Sequence, residues 1–166
     1  MLTIPLKHTL AQALMASSIL NQQQRALLQR FCAEQKVPAH DFSLVYRGSR
    51  DGFGAADFHR LCDNKGPSIT VVRSTGNFVF GGYTSVPWTS AGEYKRDAAS
   101  FLFSLRNPTN SPAKLLVTHP EYAVYHHSGC GPWFGSGYDL RTFPFVCSFG
   151  FVGMWRGSCV PLTHIV

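Results

Sequence analysis

Charge is scarce in this chain. Asp, Glu, Lys and Arg make up 14% of its 166 residues, and only nine of these are acidic. Carboxylates so thinly spread form no pair for general acid–base work, and Glu93, Glu121 and Asp139 have no evident partners. No Cys-x-x-Cys spacing occurs, and Asn107 is followed by Pro108, so no glycosylation sequon survives. Neither the Gly-x4-Gly-Lys-Ser/Thr phosphate loop nor the GxGxxG dinucleotide turn is present. Long apolar runs are missing too. The start "MLTIPLKHTLAQALMASSIL" is only mildly apolar, and Lys7, His8 and Gln12 interrupt it, so neither a signal peptide nor a spanning segment is expected.

What is abundant points to a folded, β-rich domain. Hydrophobic residues make up 45% of the chain and aromatics 13%, the reverse of a disordered composition. Thirteen Phe with 15 Gly and 10 Pro favour many short strands joined by tight turns. The length suits one domain with its own core. A formal charge of +6 would favour acidic partners, but apart from Lys95-Arg96 the cations are scattered singly. That pattern describes a generally basic surface, and no specific nucleic-acid partner is expected. The five cysteines (32, 62, 130, 147 and 159) are odd in number, which favours reduced thiols in a soluble, cytoplasmic protein.

Along the chain the hydrophobic period changes once. Leu10, Leu14 and Met15 recur at helical spacing, and a break falls around Ser17–Leu20. Asn21 then caps a second helix whose Leu27, Leu28, Phe31 and Cys32 form an apolar face, with Pro38 as its expected end. Beyond residue 41 strand patterns dominate. "FSLVYRG" (42–48) is strand-like, and "AADFHRLC" (55–62) suits a short helix with Phe58, Leu61 and Cys62 inward. "SITVVR" (68–73) and "NFVFGGY" (77–83), separated by Ser74-Thr75-Gly76, form the clearest hairpin. "SFLFSLRN" (100–107) resembles a buried central strand, and 113–119, 122–127, 137–143, 145–151 and 161–166 are further strand candidates. About eight short strands after two helices imply α+β architecture. Its core is a β-sandwich of two antiparallel sheets flanked by helices, with the N-terminal helices packed on it.

Two stretches concentrate special residues: "YRGSRDGFGAADFHRLCDNKGPSITVV" (46–72) and "GGYTSVPW" (81–88). In the first, Gly48 and Gly52 suit turns, and Asp51 suits a cap or a chain reversal. Arg47 and Arg50 are candidates to pair with Asp51, Asp57 or Asp63. His59 and Cys62 are three apart on the expected helix, which fits either a thiol activated by a base or a core cysteine; the core cysteine is the commoner outcome. "HHSGC" (126–130) carries metal-type ligands, but adjacent histidines on a strand point to opposite faces, so no metal site is assigned. Trp88, following Pro87 at a strand end, is expected in the core, and Gly81 and Gly82 are expected either to hold a positive φ or to let another backbone approach closely.

The ordered motifs "LVYRGSRDGFGAADFHRLCDNKGPSITVV", "FVFGGYTSVPW", "AASFLFSLRN" and "GPWFGSGYDL" resemble the TLDc domain of the oxidation resistance and nuclear-receptor-coactivator-like proteins. "ILNQQQRALLQRF" (19–31) is similar to the helix that opens that domain. The chain departs from the family pattern at Ser136 and Tyr138, and its end, "CVPLTHIV", lacks the family's acidic residues. The resemblance implies a β-sandwich flanked by helices over 18–166, with 1–17 as a flank. It also implies protection against oxidative stress and, in several members, binding to the vacuolar proton pump, the V-ATPase.

The expected function is therefore a non-enzymatic interaction module without cofactor or metal, docking a protein complex through loops such as 107–112 and 128–137. Arg47, Arg50, Asp51 and Trp133 are its candidate binding residues, and Gly48, Gly52, Gly81, Gly82 and Trp88 its structural signature. The expected location is cytoplasmic, at the periphery of vacuolar or lysosomal membranes or of mitochondria. The rival is a thiol-based enzyme or scavenger of reactive oxygen species, for which Cys130, in a Gly-flanked loop beside two histidines, is the candidate redox thiol.

Overall fold

The computed structural model describes residues 9–38, 42–137, 139–142, 147–149 and 162–165. Two helices come first, α1 (Leu10–Met15) and α2 (Gln22–Glu34). Each opens on a capping box: Thr9 with Gln12, and Asn21 with Gln24, exchange side-chain and backbone hydrogen bonds that satisfy the first-turn amides. The second helix stops short of Pro38. Lys36 takes a left-handed φ of 52°, and Val37 donates back to the Cys32 carbonyl at 3.0 Å, closing the helix from within.

The next segment corrects the expected long strand over 42–48. Only Tyr46–Arg47 pairs (β1), and Gly48–Asp51 winds into a single helical turn (α3). The following helix, α4, runs over Ala55–Cys62 as its spacing predicts, with Phe58 and Cys62 buried. The hairpin is β2 (Ser68–Arg73) with β3 (Val79–Thr84). Then follow β4 (Tyr94–Lys95), β5 (Phe101–Arg106), β6 (Ala113–Leu116), a 3-10 turn (Pro120–Tyr122), β7 (Val124–Tyr125), β8 (Trp133–Phe134), β9 (Leu140–Thr142), β10 (Cys147–Phe149) and β11 (Leu162–Ile165).

Among the described residues these strands form two antiparallel sheets, of six strands ordered β1-β11-β2-β3-β5-β6 and of five ordered β10-β9-β8-β7-β4. The late strand β11 lies between the early strands β1 and β2, with His164 opposite Val71 on one side and Arg47 on the other. The buried strand over 101–106 is internal but sits next to the edge, between β3 and β6.

Alternation along β2, β3 and β5 assigns the two faces of the large sheet. Ile69, Val71, Val79, Tyr83, Phe101, Phe103 and Leu105 pack with Leu14, Leu28, Phe31 and Cys32 of the helical layer. Val72, Phe80 and Leu102 turn the other way, onto Val124, Phe134 and Leu140 of the small sheet, with Phe58 and Trp88 closing the end of that core. The molecule is thus an α+β sandwich with helices over one outer face, and the sheet between them is apolar on both sides. Among the described residues no helix is long and apolar enough to cross a membrane.

Candidate functional site

The site begins at a residue with no side chain. Gly82 in β3 stands opposite Thr70 and Leu102, on the face turned to the small sheet. A Cβ there would lie 2.8 Å from the Phe134 ring and 2.9 Å from Leu102, well inside van der Waals contact. Glycine therefore lets Phe134 of β8 seat directly on the large sheet, with only 1% of its surface exposed. Gly81 does the same on the opposite face, where a Cβ would meet the Phe103 ring at 2.7 Å. Neither glycine has a positive φ; both are required by close approach.

Phe134 and Leu102 in turn floor a groove of about 300 Å³ between β6 and the turn that follows β8. Exposed apolar residues stand at its rim: Leu115 (37% exposed), opposite Leu102 on the groove face, Tyr122 (45%), and at the strand end Leu116 (56%), opposite Phe101 on the helix-facing side. β6 is the last strand of its sheet, so among the described residues nothing pairs with its outer backbone edge. The opposite wall is a tight turn. Gly135, at φ 76°, donates to the Ala123 carbonyl at 3.0 Å and accepts from the Trp133 indole at 3.2 Å. A Cβ on Gly135 would fall 2.7 Å from the Asp139 carboxyl carbon, so the glycine admits Asp139 to the groove wall.

Asp139 is singular in its surroundings. Every other described carboxylate is engaged. Glu34 meets Lys114 and Arg30, Asp51 meets Arg50, Asp57 meets Arg60, and Asp63 meets His59. Glu93 meets Lys95, Glu121 meets Arg96, and Asp97 is enclosed by hydroxyls and amides. Asp139 has neither hydrogen bond nor ion pair among the described residues, and partial burial pushes its carboxyl above the usual carboxylate range.

The residues singled out by sequence lie elsewhere and are largely occupied by local work. Asp51 accepts from the Arg47 amide at 2.8 Å and takes a bidentate pair from Arg50, both bonds at 2.7 Å. The Arg50 guanidinium, and then the Arg47 amide, hold the Asp51 carboxyl down at about 2. The Arg47 guanidinium reaches back to the Ala16 carbonyl at 2.8 Å and ties the helical layer to β1. Gly48 is buried under the Phe53 ring, where a Cβ would lie 2.5 Å from its edge, and Gly52 turns the chain at φ 101°. Trp88 is 1% exposed, with its indole N–H on the Ser68 hydroxyl at 2.9 Å. Trp133 is buried beneath the Arg141 guanidinium, 4.1 Å from its ring centre.

Three of the five thiols, those of Cys32, Cys62 and Cys130, are enclosed. Cys130 is 1% exposed, and Arg141 approaches its sulfur at 3.5 Å. Burial pushes the Cys32 and Cys62 thiols up to about 12. His59 does not activate Cys62: its Nδ1 faces the Asp63 carboxylate at 2.8 Å, and its Nε2 faces the His127 and Cys130 carbonyls at 3.0 and 2.9 Å. It pins α4 to the loop over 127–130, a role that its spacing to Cys62 did not suggest. Of the adjacent histidines, His126 is buried, accepts the Thr89 amide at 3.1 Å, and is pushed by burial down to about 4, whereas His127 is exposed. A thiol chemistry needs a depressed pKa and access; Cys32, Cys62 and Cys130 have no access.

This is a sandwich scaffold whose described carboxylates other than Asp139 are engaged, and it carries an apolar, acid-walled groove. The family model of the TLDc domain matches residues 14–154, and the chain belongs to that family. Among curated proteins it is similar to the MTOR-associated protein MEAK7 of Gallus gallus, 29% identical over 93 residues, and to that of Xenopus laevis, 30% identical over 86 residues. These matches cover 54% and 50% of this chain but only 16% and 17% of the relatives' own length.

Proposed function

We propose that this chain is a non-enzymatic docking module that binds a protein complex through the groove beside β6. The single observation that carries the reading is the groove itself: three exposed large apolar side chains beside a carboxylate without a partner, on a scaffold whose other described acids are all engaged. Exposed apolar surface of this kind, rimmed by polar groups, is characteristic of interaction sites. Membership of the TLDc family supports a role in protection against oxidative stress, with the V-ATPase as the partner complex and the surface of vacuolar or lysosomal membranes as the place of action. The name of the MEAK7 relatives supports an alternative complex, one that contains mTOR.

Affinity capture from a cell lysate with the tagged chain, read by mass spectrometry, tests the proposal. Recovery of V-ATPase subunits in stoichiometric amount is the expected result. Recovery of mTOR with its associated proteins keeps the docking reading and changes the partner. If no stable complex is recovered at low salt, the docking reading falls.

A further inference from the structure

We propose that the groove takes an extended peptide segment of its partner, one that adds as a strand to the outer edge of β6, places aliphatic side chains against Leu115, Leu116 and Tyr122, and presents a lysine or arginine to Asp139. The inference rests on the docking reading above and specifies the chemistry of what docks.

Three features on the two walls define this occupant. The outer edge of β6 leaves backbone donors and acceptors unpaired among the described residues, and an extended chain satisfies such an edge with main-chain hydrogen bonds. Edge strands exposed in this way are usually blunted by charge, yet the last two positions of β6 are Leu115 and Leu116. Its lysine, Lys114, is turned away onto Glu34 and the Phe31 ring of α2 and guards nothing. Leu115 shares the groove face with Leu102 and Leu116 the helix-facing side with Phe101, so successive apolar residues of the incoming strand would cover one leucine on each side of the sheet.

Charge decides the remaining feature. Asp139 loses part of its hydration to the groove wall and gains no described partner in return. A cation from outside would restore that loss, whereas an acidic or neutral segment would cover the half-buried carboxylate and leave it unpaired. The other ionisable groups at this end are already paired: Glu121 stands 3.5 Å from His119 and 4.0 Å from Arg96. A basic, aliphatic, extended segment therefore fits better than an amphipathic helix, which would offer the strand edge no hydrogen bonds.

Selection of random twelve-residue peptides displayed on phage against the intact chain tests this. The enriched sequences should carry successive aliphatic residues and share a lysine or arginine. The synthetic consensus peptide should bind at least ten-fold more weakly to Asp139→Asn and to Leu116→Glu, and its own Lys→Gln or Arg→Gln form should bind equally weakly to parent and Asp139→Asn. Leu116→Glu, at an exposed position, remains informative if Asp139→Asn folds poorly. The proposal is overturned if no sequence is enriched, if the consensus is acidic or lacks a cation, or if both variants bind it like the parent. It is likewise overturned if sedimentation shows that a second copy of the chain occupies the edge. Affinity capture with Leu116→Glu separates the two readings. If the variant recovers the same complex as the parent, the chain docks that complex through another surface and the strand-edge proposal falls with the groove; if the parent recovers nothing, docking itself has failed.

Discussion

Gly82 shows how one missing side chain can fix the distance between two sheets. The Phe134 ring occupies the space a Cβ would need, and burying a phenylalanine of this kind contributes about 1.5–3 kcal/mol. A valine at position 82 must push Phe134 or Leu102 aside in a close-packed layer, and interiors of this density transmit such strain. Gly82→Val is expected to destabilise the domain by about 2–4 kcal/mol. Lys95→Ala, which removes an exposed pair with Glu93, should change stability by less than about 0.5 kcal/mol. Denaturant melts of the two variants check this. A Gly82→Val protein that melts like its parent but loses its partner would show that the glycine serves recognition directly.

At the scale of elements, the short turn α3 shows how the arginine- and glycine-rich stretch is held together. Asp51 returns to cap the Arg47 amide while Arg50 clamps the carboxylate from outside. Removing the acid deprives a half-buried amide of its acceptor, whereas removing Arg50 costs only a pair whose cationic side is half exposed, at 52%. Thermal or chemical melts should therefore rank Asp51→Ala, at about 1–2 kcal/mol, above Arg50→Ala, at less than about 1 kcal/mol. The reverse ranking would mean that Arg50 holds more than Asp51. Elements with strong local signals were legible in the sequence: α4 from its helical spacing, and the β2–β3 hairpin from two apolar runs around Ser74-Thr75-Gly76. β4 and β8, only two residues each, carry no periodicity to detect. The groove was hidden for a different reason. Leu115 and Leu116 have the same pattern as core residues, and only the sheet order leaves their strand at the edge. Sequence did leave Asp139 without an evident partner, together with Glu93 and Glu121. The fold then supplied Lys95 and Arg96 to those two and no described group to Asp139.

On the scale of the whole molecule, the large sheet is the shared wall of two cores, so neither core can open without disturbing the other. Its own closure depends on distant chain: β11 pairs with β1 and β2 across most of the sequence. The described thiols report on this coupling because they sit at separate levels. Cys32 lies in the helix–sheet core, Cys62 in the core between the sheets, and Cys130 beside Arg141 of the small sheet. In the folded protein these three should resist iodoacetamide, since only an accessible thiolate reacts, and burial both shields them and holds Cys32 and Cys62 near 12. In rising urea the three should become alkylated together, at the same midpoint as the loss of intrinsic tryptophan fluorescence, as a single cooperative unit requires. Peptide mapping by mass spectrometry resolves the sites. Early labelling of Cys32 alone would show the helical layer leaving the sandwich first, as an independent unit of opening. Rapid labelling of Cys130 in native buffer would instead expose a thiol that the fold encloses, and would return redox chemistry to consideration.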